Sequence, residues 1–138
     1  MLHRKRSNEE DYVKVVRPNG SKCSSKLGRV GGGQELKLGK NFTSGRTCYK
    51  EKVIIHEFIH AIGFTHEQNR PNRDSYVDVK YENIIGGENN GNFKKRTIDW
   101  LTYEIPYDGK SVMHYKAFNG AGIKINGIRQ ITMTSKVC

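Results

Sequence analysis

Acidic side chains are scarce in this chain. Asp and Glu number 14 against 24 Lys and Arg, which leaves a formal net charge of +10. Such an imbalance invites a nucleic-acid or acidic-surface partner. The basic residues are scattered, however, apart from HRKR at 3–6 and KKR at 94–96, and no RNA- or DNA-binding motif accompanies them. They are read as solvated faces, so nucleic acid is not an expected partner; a basic, glycan- or nucleic-acid-binding role stays as a third option. Long apolar runs are missing too. No eighteen consecutive apolar residues occur, which excludes a membrane-crossing helix. The opening MLHRKRSNEED is charged almost at once and lacks the apolar segment of a secretory signal. Core-forming material is thin: 35% of the 138 residues are hydrophobic, only one is Trp, and 15 are Gly. That is one domain's length with little to bury. The glycines at 28 and 31–33 do not make a phosphate-binding GxGxxG, and no strand–helix pattern supports one.

Histidine, by contrast, is concentrated. Three of the five fall within HEFIHAIGFTHE, at positions 56, 60 and 66. On a helix of 3.6 residues per turn, His56 and His60 project from one face, close enough to share a cation. Glu57 lies about 100° further round, too far to join them as a ligand but near enough to act on a metal-held water. Gly63 stands where a helix end needs a residue that tolerates the left-handed conformation. The reversal it permits would bring His66 to the same ion. Three imidazoles with a fourth position open to water are the mark of a catalytic rather than a structural zinc site. The competing reading, ordinary histidines on a helix, leaves the clustering unexplained.

The motif HExxHxxGxxH, with a methionine turn further on, resembles that of the metzincin metalloproteases. The longer strings HEFIHAIGFTHEQNRPNRDSYV and SVMHY (111–115) are similar to those of the astacin family within that group, as are GRVGGGQELKLG, NF at 92–93 and PYD at 106–108. The resemblance covers most of the chain. It implies an α+β, zincin-like fold: a small mixed sheet, a central zinc-binding helix and an irregular C-terminal part holding a Met-turn. It also implies a single partial catalytic domain, with an upper part of about 1–63, a lower part of about 64–138 and the zinc cleft between them. The expected activity is that of a secreted zinc endopeptidase acting on protein or peptide, with one Zn2+ held by His56, His60 and His66. Glu57 would be the general base. Met113 would floor the imidazoles, and Tyr115 would ligate zinc at rest and swing to the oxyanion during turnover. His114 is not expected to ligate. Cys23 and Cys48 match a bridged pair of the family; Cys138 matches neither end of the family's other bridge and is expected unpaired, and three histidines with water complete the site without Cys48 as a ligand. Glu67 matches a residue of a buried polar network, and Asn72 stands where an acid is usual. Family catalytic domains are longer, so a truncated product is expected. The alternative function is a truncated, catalytically inactive zinc-holding or basic binding fragment.

The remaining chain reads in order as follows. Residues 8–17 give a turn and a strand carrying Tyr12, Val13, Val15 and Val16. Pro18, Asn19 and Gly20 make a turn, and Cys23 opens a Gly-rich loop. QELKLG alternates as a half-buried strand. It is expected at a sheet edge, where the family resemblance would have it pair with extended substrate. Asn41-Phe42-Thr43 fits an N-glycosylation acceptor. Thr47 is a candidate N-cap, and the following helix is apolar nearly all round, as a buried helix would be. After His66 the sequence reads as loop and a short extended piece, then flexible loop over 86–92. Trp100, Leu101, Tyr103 and Ile105 form a candidate apolar cluster.

Overall fold

A computed structural model describes residues 8–41, 44–97, 105–119 and 121–136. The chain forms two compact units, Met1–Phe64 and Thr65–Cys138.

Among its described residues the first unit is built on three strands and one helix. Strands β1 (Tyr12–Val16), β2 (Gly20–Ser24) and β3 (Gly33–Lys40) form a mixed sheet in the order β1-β3-β2. β1 runs parallel to β3 with Tyr12 opposite Gly33, and β2 runs antiparallel with Cys23 opposite Leu38. The chain therefore crosses the end of β3 between its first two strands, at the turn of Pro18–Gly20. This corrects the sequence reading of QELKLG. β3 is the middle strand, paired with β1 over Gly33–Lys37 and with β2 over Lys37–Lys40, and so is not a sheet edge. β2 went unseen because GSKCS has no alternation of apolar and polar residues.

The period-two pattern of β3 is nonetheless faithful. Gln34, Leu36 and Leu38 are buried while Glu35 faces solvent. Leu36 and Leu38 join Cys48 in a core that Cys23, Val53 and Ile54 cover from the side. Cys23 and Cys48 are disulfide-bonded, with Cα atoms 5.7 Å apart, as the resemblance implied. Gly39 sits where β2 and β3 approach most closely: a Cβ there would collide with the Gly20 carbonyl and lie 2.9 Å from that of Lys22. Gly39→Ala is expected to push the strands apart and cost about 1–3 kcal/mol, read as a lowered thermal midpoint.

Helix α1 spans Glu51–Ala61 and packs its first turns, through Val53 and Ile54, onto the inner face of the sheet. Its N-cap is Lys50, without a side-chain cap, while Thr47 Oγ1 instead accepts from the Tyr49 N–H at 3.0 Å. Thr47 closes a local turn and does not cap the helix. Nor is the helix buried all round. Ile55 and Phe58 are 42% and 41% exposed and Ile62 70%, because a three-stranded sheet covers only one side.

Among its described residues the second unit has little regular structure. Single 3₁₀ turns occur at Glu67–Asn69, Arg73–Ser75, Tyr81–Asn83, Gly87–Asn89 and Gly91–Phe93. Strand β4 (Val77–Val79) pairs antiparallel with β7 (Met133–Ser135), and β5 (Lys124–Ile125) with β6 (Ile128–Arg129) across Asn126-Gly127. Both turn residues have positive φ, as a tight hairpin demands. Its core is Ile84, Phe93 and Met133, with Val79, Tyr81, Tyr115 and Ala121 against it.

Irregular backbone needs partners for its polar groups. Here buried side chains of one short segment supply them. Arg73, 3% exposed, donates to the carbonyls of Gln68 (2.9 Å) and Phe93 (2.8 Å) and to the Tyr81 hydroxyl (2.6 Å). Asn69 donates to the carbonyls of Asn92 and Lys94. Residues 86–92, composed like a flexible loop, are thus tied into place, and Phe93 beside them is fully buried. The apolar cluster expected at Trp100, Leu101 and Tyr103 lies outside the described residues, and Ile105 is 60% exposed. Phe42 and Thr43 of the glycosylation pattern, the 3–6 basic run and Cys138 also lie outside them.

Candidate metal centre

α1 presents His56 and His60 one turn apart, their rings edge to face with centroids 4.6 Å apart. The helix stops where the sequence expects. Gly63 takes φ +110, its N–H donates to the His60 carbonyl (2.9 Å), and the Phe64 N–H donates to the Ile59 carbonyl (3.2 Å). These two bonds are the Schellman pattern, which satisfies carbonyls a helix end would otherwise leave open. The Gly28 N–H adds a second bond to the His60 carbonyl at 2.8 Å.

The same reversal orients a ligand. His60 Nδ1 lies 2.8 Å from the Phe64 carbonyl oxygen, which can only accept. Nδ1 therefore carries the proton, and the Nε2 lone pair is left for a cation. Burial holds His60 below the ordinary histidine range, the Phe64 bond opposes this, and the His56 charge adds to it. The neutral form that binds metal is thereby favoured.

His66 follows two residues after Phe64 and begins the 3₁₀ turn at Glu67–Asn69. The structure brings its ring nitrogens together with those of the helix pair: ligand atoms of His56, His60 and His66 all lie within 4.8 Å of one another. The donor set, three imidazoles with at least one tautomer fixed by a second hydrogen bond, fits zinc.

Glu57 is buried, 6% exposed, on the helix that carries two of these histidines. Burial raises its carboxyl above the usual range; the His56 charge and an N–H from Ser25, just past β2, pull it back. The end of β2 thus anchors the carboxylate, a role no feature of the sequence announced.

In the second unit, Ser111–Tyr115 forms a turn in which Ser111 Oγ accepts from the Met113 N–H (3.1 Å), and Met113 is buried. The ring of Tyr115 lies 4.6 Å from that of His66 and 5.9 Å from that of Phe93. His114 is engaged at both nitrogens, by the Tyr107 hydroxyl and the Tyr115 carbonyl, each at 2.6 Å, in keeping with its exclusion as a ligand. Cys48, closed in its disulfide, has no thiolate to offer. Glu67 Oε1 accepts from Arg70 (2.8 Å) and the Asp108 N–H (2.9 Å), while its main-chain N–H donates to the Met113 carbonyl (3.1 Å).

The family model described as Astacin, a peptidase family, matches residues 2–136. The chain belongs to the astacin family. Among curated relatives, "High choriolytic enzyme 2" of Oryzias latipes is 45% identical over 111 residues, covering 80% of this chain and 36% of that protein. "Zinc metalloproteinase nas-12" of Caenorhabditis elegans is 38% identical over 130 residues, covering 94% of this chain and 32% of that one. The chain therefore spans about a third of the length of these astacin-family proteins. A solved structure of high choriolytic enzyme 1, a hatching enzyme zinc-protease from the same fish, superposes with a TM-score of 0.76 at 40% identity. It covers 95% of this chain and 58% of that one. The fold is accordingly the zincin-like α+β arrangement of astacins, with its zinc-helix motif on α1 and its Met-turn at 111–115. Among the described residues no helix is long and apolar enough to cross a membrane.

Proposed function

We propose that this chain is a secreted zinc endopeptidase acting on protein or peptide, with one Zn2+ held by His56, His60 and His66. The observation that carries the reading is a buried carboxylate, Glu57, on the same helix as two of three converging imidazoles. Zinc in such a donor set supplies Lewis acidity, which polarises a carbonyl and acidifies a water. Glu57 receives the proton of the attacking water at its carboxylate and delivers it to the leaving nitrogen. Its raised pKa suits both halves of that shuttle. The phenol of Tyr115 donates to the oxyanion as it forms. In this reading Met113 floors the imidazoles, and the chain is one partial catalytic domain with an upper part of about 1–63 and a lower part of about 64–138. The Cys23–Cys48 bridge supports an oxidising, extracellular setting.

Incubating the purified chain with a denatured protein, with and without a strong zinc chelator, tests this. The expected result is one equivalent of zinc per chain and cleavage that the chelator abolishes and added zinc restores. The wide exposure of Ile55, Phe58 and Ile62 favours a second reading, in which the scaffold holds zinc without turnover. Stoichiometric zinc with no cleavage would establish that second reading and overturn the first.

A further inference from the structure

Both main-chain polar groups of Tyr115 are held by side chains. Its N–H donates to Gln68 Oε1 at 3.0 Å, and its carbonyl accepts from His114 Nδ1 at 2.6 Å. Because that carbonyl can only accept, His114 is protonated at Nδ1 and its Nε2 accepts from the Tyr107 hydroxyl, 2.6 Å away. Tyr107 is in turn stacked on Tyr76, centroids 4.6 Å apart and planes within 4°. One arm therefore runs from an aromatic stack through an imidazole to the Tyr115 carbonyl.

The other arm is the more telling. Gln68 is fully buried, a costly place for an amide without partners. Its Oε1 is taken by the Tyr115 N–H and its Nε2 faces the Asn92 carbonyl at 3.4 Å, while its main-chain carbonyl accepts from buried Arg73 (2.9 Å). Gln68 is also two residues past His66, in the 3₁₀ turn that His66 begins, and the intervening Glu67 N–H donates to the Met113 carbonyl at 3.1 Å. The segment bearing the third histidine and the segment bearing Tyr115 are stitched together at two consecutive residues. An apolar side chain at 68 would fill the same space but take away the acceptor that Gln68 offers the Tyr115 N–H.

We propose that Gln68 and His114 are positioning residues for Tyr115, clamping its main chain so that the phenol meets the oxyanion in register with the ligand set that includes His66. The inference rests on the role given to Tyr115 above. Each acts through the Tyr115 main chain, to which it is hydrogen-bonded.

The test is a double-mutant cycle on the full, zinc-loaded chain. Gln68→Met, which keeps volume and removes the acceptor, is expected to lower kcat about tenfold to a hundredfold with KM within about twofold. In a Tyr115→Phe background the same change is expected to alter kcat by less than about twofold, because the group it positions is gone. Equal losses in both backgrounds, or a loss carried by KM, would overturn the positioning role while leaving the endopeptidase reading intact. A Tyr115→Phe variant with undiminished kcat would instead overturn the role of Tyr115 and the clamp with it. Should Gln68→Met fail to fold, Tyr107→Phe is the gentler probe, keeping the stacked ring and deleting only the hydroxyl that holds His114. It is expected to lower kcat about threefold to tenfold, and again not in the Tyr115→Phe background; an equal effect in both would overturn the clamp.

Discussion

Glu57→Gln is expected to lower kcat by about 10²–10⁴-fold while the chain still binds zinc and melts no lower than the parent. The amide is isosteric and can keep accepting from the Ser25 N–H, but it cannot take a proton from water. Stability and activity should part company for a physical reason. Burial raises the Glu57 carboxyl, so the folded metal-free chain holds that proton more tightly than the unfolded chain does. Ionising Glu57 near neutral pH therefore costs folding stability, and a neutral amide relieves that cost. Paired measurements of kcat and thermal midpoint decide the matter. Full activity in the variant would remove Glu57 from the chemistry; a lower midpoint with unchanged kcat would make it a structural residue.

Replacing both Cys23 and Cys48 by Ala is expected to unfold the first unit at physiological temperature. The bridge spans 25 residues of sequence, for which chain entropy gives a loss of about 3.5 kcal/mol. A whole domain commonly has only about 5–15 kcal/mol in hand. Here little else resists, since the buried hydrophobic cluster of the first unit comprises Leu36, Leu38 and Cys48, and Cys48 is fully buried within it. The bridge also joins β2 to the segment entering α1, so its loss frees the strand whose end anchors Glu57. Melting of the oxidised chain, the reduced chain and the double variant provides the check. Coincident curves would show that Leu36 and Leu38 suffice alone.

What could be read from the residues beforehand was the family, the histidine cluster and its immediate frame. A helix with histidines at i and i+4 and a glycine at its end has one geometry, and the structure reproduces it down to the bonds made by Gly63 and Phe64. The alternation of β3 was equally plain. Its place in the sheet was not, because strand order depends on which other segments pair, and GSKCS carries no pattern that declares a strand. The segment 86–93 failed for a different reason. Its order comes from donors on Asn69 and Arg73, some twenty residues earlier, and composition is blind to such bonds. Gln68 passed for a loop residue because a buried amide resembles an exposed one in sequence. Apolar residues on α1 suggested burial all round, yet periodicity describes a helix and not the elements available to cover it.

That uncovered side of α1 governs how the chain behaves at concentration. Ile55, Phe58, Ile62 and Phe64 remain between 41% and 70% exposed, a sticky surface on a molecule of charge +10. Mutual repulsion keeps copies apart only while it reaches across solvent, about 30 Å at 0.01 M ionic strength and about 8 Å at 0.15 M. Salt therefore works against colloidal stability here, shortening the repulsion and leaving the apolar contacts untouched.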